Sequence, residues 1–225
     1  MGGLEVNRWN KSELKRTTGI FFNDARSLSD ASRFHSGSKL QEIIRPTSQG
    51  GTHEGAVRSA VGIATRFTGL SNSLLPRLPA KLDTIVTASE DDLKSPRSQD
   101  IFPLSTSEWS KVFLTKVIAQ AILTNENHTS NPNAVPKSLL GSVLLLDDIT
   151  NHLNEIEEVK LLKSLKSSGA ASLITSKRWA IGRFADKIVV LKDGAVIESG
   201  THSELMAKGS DNSIYASRWA QMLTS

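Results

Sequence analysis

Val143-Leu144-Leu145-Leu146-Asp147-Asp148-Ile149-Thr150 is the stretch that decides how this chain reads: four apolar residues followed at once by two adjacent carboxylates. With Ser142 it predicts a short strand over 142–146, buried on both faces as strands of parallel sheets are. Its ending matters because open α/β sheets bind ligands beyond the carboxyl ends of their strands. An Asp placed there suits Mg2+, usually through water, and a neighbouring carboxylate can orient an attacking water. The same two letters also suit a solvated turn, so local chemistry alone leaves both readings open.

Working outward, the flanks alternate between helix and strand. Upstream, residues 107–123 carry Trp109, Val112, Phe113, Lys116-Val117 and Ala121 at helical spacing, with Ser105 or Ser107 as a cap. Downstream, residues 154–167 place Ile156, Val159, Leu162 and Leu165 on one helical stripe. ASLIT, 171–175, predicts a second buried strand, and the runs 186–191 and 195–199 flank Asp193-Gly194, a strong hairpin signal. Thr201-His202-Ser203-Glu204 is a capping box opening a helix that should stop at Lys208-Gly209. The polar, turn-rich stretches 87–103 and 124–138 predict surface loops. Strand, helix, strand and terminal hairpin together predict an α/β fold with a partly antiparallel edge.

Composition narrows the function classes. At 38% hydrophobic and 22% charged, the 225 residues suit a folded domain with a substantial core rather than a disordered chain. The formal charge of +4 is spread along the sequence without a basic tail or stripe, which argues against a nucleic-acid partner. There is no cysteine, so disulfides, thiolate metal sites and cysteine nucleophiles are excluded. The apolar runs are far shorter than the roughly 20 residues of a membrane span, so no span of its own is expected. The tryptophans at 9, 109, 179 and 219 predict packing rather than base stacking, since no basic patch accompanies them.

Order and spacing go further. The segment from 139 onward resembles the closing third of the nucleotide-binding domain of ATP-binding cassette (ABC) exporters. SVLLLDDIT looks like that family's Walker B strand, which makes Asp147 the magnesium-binding residue and Asp148 the counterpart of the catalytic Glu. Asn151-His152-Leu153-Asn154 stands where the family's D-loop lies, and Ser176 stands where its switch histidine follows a strand. The run from Ala185 through Tyr215-Ala216-Ser217-Arg218-Trp219 is similar to the family's ending. Upstream, Leu104-Ser105-Thr106-Ser107-Glu108 resembles the LSGGQ signature, residues 78–86 its approach, and residues 36–44 the stretch after the Q-loop, with Asn23 at the Gln position. The resemblance implies a P-loop NTPase-like parallel core, here incomplete, with an inserted helical subdomain and a C-terminal hairpin and helices. It implies three segments: a partial core over 1–50, the helical subdomain with the signature-like segment over 51–123, and the Walker B to C-terminal core over 139–225.

Several positions depart from the pattern. The phosphate loop G-x-x-x-x-G-K-S/T occurs nowhere; Gly37-Ser38-Lys39 is the nearest fragment. Without backbone N–H groups cradling the phosphates, most nucleotide affinity is lost. Asp148 is one methylene shorter than Glu, and Ser176 cannot supply an imidazole. Thr106 and Ser107 replace glycines, so their β-carbons obstruct a backbone-to-phosphate approach. Ser105 keeps a hydroxyl and Asn23 an amide. His202 belongs to a helix-start signature and is expected to be structural. The resemblance thus implies ATP and Mg2+ as cofactors of the family, and a second nucleotide-binding domain and transmembrane domains as partners. It also implies a place at the cytosolic face of a membrane. The expected function is a degenerate ABC-type module, silent alone and completing a partner's ATP site through 104–108. The alternatives are a fragment of an active transporter ATPase and a non-catalytic interaction scaffold.

Overall fold

A computed structural model describes residues 18–22, 37–47, 54–88, 101–126, 139–151 and 153–224. Asn23, Trp9 and His152 lie outside them. The elements are β1 (Thr18–Phe22), β2 (Ser38–Lys39), α1 (Leu40–Ile44), α2 (Glu54–Phe67), α3 (Leu70–Ser73), β3 (Ile85–Thr87), β4 (Ile101–Pro103) and α4 (Thr106–Glu126). They continue with β5 (Val143–Asp147), α5 (Glu155–Ser167), β6 (Ala171–Thr175), β7 (Ile188–Lys192), β8 (Ala195–Gly200), α6 (His202–Ala207) and α7 (Ile214–Thr224). The chain divides into two compact units, with the boundary between Thr175 and Ser176.

In the first unit β1, β5 and β6 form a parallel sheet with β5 in the centre. The ladder runs in step: Gly19, Leu144 and Ser172 are neighbours, as are Ile20, Leu145 and Leu173. Because side chains alternate across a strand, Gly19, Phe21, Leu144, Leu146 and Ile174 share one face. That face is packed: a β-carbon on Gly19 would stand 3.0 Å from Val117 of α4. Lys111 of α4 reaches Glu157 of α5 at 2.6 Å, tying the two helices together. A smaller sheet, with β3 between antiparallel β2 and parallel β4, joins the helical part built on α2 against α4. There Val57, Ala60, Val61 and Ala64 of α2 are buried, and the Thr68 and Thr115 hydroxyls bond at 2.7 Å.

The mixed α/β architecture with a parallel core, helical part and terminal hairpin is the expected fold, and the structure corrects several details within it. β5 alternates between buried and half-buried residues instead of being enclosed on both faces. β6 is largely exposed, with Leu173 65% accessible, because it is the sheet's edge and its outward face has no cover among the described residues. On α5 the buried stripe is Glu158, Leu161, Leu162 and Leu165, while Ile156 points to solvent; the packed face follows the neighbours α5 has, not the most apolar line. α4 is buried nearly all round, from Trp109 and Val112 through Ile118 to Leu123, so it has no single stripe. The stretch read as a loop over 87–103 contributes Thr87 to β3 and all of β4, and α4 continues to Glu126.

The second unit is a hairpin with two helices. β7 and β8 are antiparallel, joined by Asp193-Gly194, where both residues have left-handed φ, 50° and 78°, as a type I′ turn requires. Thr201 caps α6 by accepting from the Glu204 N–H, and the Glu204 carboxylate in turn accepts from the Thr201 N–H. Lys208 ends that helix and Gly209 follows at φ 77°, as the sequence predicts. His202 Nδ1 and the Tyr215 hydroxyl bond at 2.8 Å within an aromatic cluster that includes Trp179 and Trp219. His202 is therefore a packing residue. Gly182 leans on the same tyrosine so closely that a β-carbon would fall 2.2 Å from its hydroxyl.

Candidate functional site

The acidic pair sits at the carboxyl end of the central strand. Asp147 closes β5, and Asp148 turns the chain away with a left-handed φ of 47°. Aspartate tolerates that region better than most residues because its short side chain bonds locally. Ladder pairing sets Asp147 directly beside Thr175 of β6. The Thr175 hydroxyl donates to Asp147 Oδ1, and the Asp148 N–H donates to the Thr175 carbonyl at 3.0 Å and lies 3.2 Å from its hydroxyl. Among the described residues no group of three His, Asp or Glu side chains is arranged to hold a metal ion alone. Mg2+ commonly needs less than that from protein, taking one or two carboxylates and the rest from phosphates and water. The oxygen donors here suit the cation end of a phosphate site.

The signature-like residues gather at the start of α4. Leu104 is buried and its N–H donates to the Thr87 carbonyl at 3.0 Å, anchoring the turn to β3. Ser105 and Glu108 form a reciprocal cap: the Ser105 N–H and hydroxyl both donate to Glu108 Oε2 at 2.8 Å, and the Glu108 N–H returns to Ser105 Oγ at 3.4 Å. Ser107 Oγ lies 3.1 Å from Ser105 Oγ, and Thr106 is exposed. Arg77 grips the other Glu108 oxygen at 2.5 Å. Burial works against ionisation of Glu108, but the Ser105 donors and the Arg77 guanidinium outweigh it and hold the carboxyl below its usual range.

The remaining expected positions have local duties. Asn154 caps α5, accepting from the Glu157 N–H at 2.9 Å. Ser176 accepts from the Arg178 N–H at 3.0 Å. Sequence reading missed two residues, Thr175 and Arg77. Thr175 becomes visible only once the β5–β6 register is known, and Arg77 lies 31 residues from Glu108. Neither carries a local motif.

No family model matches the chain. Among curated proteins, it is 36% identical over 85 residues to the lactococcin transport/processing ATP-binding protein LcnC-like of Lactococcus lactis, covering 37% of this chain and 12% of that protein. It is 40% identical over 67 residues to the ABC transporter ATP-binding protein YfiB of Bacillus subtilis, covering 30% of this chain and 12% of YfiB. To YfiC of the same organism it is 28% identical over 159 residues, 69% of this chain and 21% of YfiC. The chain thus spans between about an eighth and a fifth of these relatives. A bacterial Atm1-family ABC exporter solved with ATP bound matches 98% of this chain and 31% of its own, with TM-score 0.66 and 21% identity, which establishes likeness of fold. In sequence and in fold, this chain resembles the nucleotide-binding domain of an ABC exporter.

Proposed function

We propose that the chain is an ABC-type nucleotide-binding module that contributes to ATP-driven transmembrane transport together with a second nucleotide-binding domain and transmembrane domains. The observation that carries this reading is the acidic pair at the carboxyl end of the central parallel strand, in a chain whose fold matches an ABC exporter. Asp147 would hold the Mg2+ that neutralises phosphate charge, with Asp148 in the place of the general base. Among the described residues no helix is long and apolar enough to cross a membrane.

The residues fit the cation end of such a site and not the phosphate cradle, because no G-x-x-x-x-G-K-S/T segment occurs in the sequence. On this reading the module does not turn over ATP alone: Asp147 supplies the cation end of its site, and residues 104–108 face a partner's nucleotide. Melting with and without Mg-ATP, in wild type and Asp147→Ala, tests it. A ligand at 100 times its dissociation constant stabilises by about 2.7 kcal/mol, which a melt resolves. A shift that is lost in Asp147→Ala supports Asp147 as the cation ligand, and no shift from a folded baseline removes that role. Mg2+-dependent turnover by the chain alone, lost in Asp147→Ala, would sink the reading of a module inactive alone.

A second reading is supported by the outward sheet face, where Ile20 and Leu173 are 47% and 65% accessible. Parallel sheets are covered on both faces. On this reading the chain works as part of a longer, active ATPase whose other elements cover that face.

A further inference from the structure

We propose that Thr175 is a positioning residue for Asp147: it occupies one carboxylate oxygen and leaves Oδ2 as the oxygen through which a phosphate-borne divalent cation is held. The inference rests on the reading of Asp147 as a cation ligand. Its structural basis is the hydroxyl at the end of β6. Asp147 and Thr175 are direct partners in the parallel ladder, so their side chains leave the sheet on the same face. The Thr175 hydroxyl donates its single proton to Asp147 Oδ1, and the Asp148 N–H, which donates to the Thr175 carbonyl at 3.0 Å, also lies 3.2 Å from Thr175 Oγ1. The bonds therefore run in one direction, from the Asp148 amide through the Thr175 hydroxyl to the Asp147 carboxylate, and each polarises the next. A β-branched residue on a strand has few χ1 choices, so the hydroxyl is held in place by its own backbone.

Two consequences follow for chemistry. A carboxylate with one oxygen already accepting a hydrogen bond presents a single, fixed oxygen, which suits the octahedral, one-oxygen-per-carboxylate habit of Mg2+ better than the larger bidentate cages of Ca2+. Removing such an outer partner typically weakens metal binding about 10- to 100-fold. Thr175 also holds the turn at Asp148, through its carbonyl at 3.0 Å and its hydroxyl at 3.2 Å, so the two acidic residues are set relative to each other by a residue 27 positions downstream of Asp148.

The test uses the full chain, 13C- and 15N-labelled, as wild type, Thr175→Val and Thr175→Ser. Valine keeps the shape and strand preference of threonine without the hydroxyl, and serine keeps the hydroxyl. In the absence of metal, the Asp147 13Cγ and Asp148 amide resonances should move in Thr175→Val and return to the wild-type positions in Thr175→Ser. Mn2+–ATP is then titrated as a paramagnetic probe. Broadening of Asp147 13Cγ should need about tenfold more probe in Thr175→Val than in the other two. Unmoved resonances in Thr175→Val, or identical broadening curves in all three, would overturn the positioning role. Resonances that move as expected but broaden in none of the three would overturn the cation reading of Asp147 instead.

Discussion

The two faces of the parallel sheet are made of similar residues and have opposite fates. On one, Phe21, Leu144 and Leu146 are 3%, 0% and 1% accessible beneath a layer that includes α4; on the other, Ile20 and Leu173 stand in the open. The strands alternate between the faces, so every residue of β5 that enters the packed layer has a neighbour that does not. Apolar character alone therefore does not decide burial here; the presence of a helix against the face does. The acidic end of β5 is subject to the same asymmetry, since Asp147 and Thr175 belong to the open face.

That contrast can be broken or sharpened by substitution. The largest effect should come from Leu144→Ala, which leaves a cavity in the packed face and should cost about 2–5 kcal/mol in urea unfolding. Gly19→Ala should follow. Its β-carbon would meet Leu144 Cδ2 at 2.9 Å and Val117 Cγ1 at 3.0 Å, so these side chains or the strands and helix that carry them must shift, at about 1–3 kcal/mol. A loss below about 0.5 kcal/mol in either variant would mean that the packed face is not the stabilising one.

Glu108→Ala removes the cap and the Arg77 pair from the helix over the packed face, and should cost about 1 kcal/mol. Its signature is in acid. A carboxyl held below its usual range stabilises the fold above the unfolded value of about 4.3. That contribution is lost as pH falls from there through the folded value. Melts of wild type and Glu108→Gln should accordingly converge below that window and diverge above it; parallel curves throughout would exclude a stabilising role for the ionised Glu108. Smallest of all, Leu173→Ala should change stability by less than about 0.5 kcal/mol in the isolated chain. A large loss there would show that the open face is covered.

What the sequence revealed depended on how local the signal was. Asp193-Gly194, the Thr201 cap and the stop at Gly209 are fixed by backbone chemistry within a few residues, and each appeared where expected. The strand ending in Asp147-Asp148 was legible for the same reason. Burial was not: Ile156 and Leu173 look like core residues, yet both are exposed, because burial belongs to a pair of surfaces and sequence shows only one. β4 was missed because three residues with a proline make a weak strand signal, and only pairing with β3 defines it. Asp147, Asp148 and residues 104–108 were singled out from order and spacing, and the structure sets them at the end of β5 and at the start of α4. Thr175 and Arg77 were not, since each acts through a contact made only on folding.

The turn at Asp148 bears on any attempt to lengthen the acidic side chain there by protein engineering. Exchanging Asp148 for Glu looks like a one-methylene extension of reach. At a φ of 47°, however, a longer side chain gives up the local bonding that makes left-handed backbone tolerable for aspartate. The new carboxylate would start from a backbone that favours relaxing toward negative φ, and its direction would change along with its length. Extending reach at this position therefore requires redesigning the turn from Asp148 to Asn151 as a unit, with the added side chain as the last step.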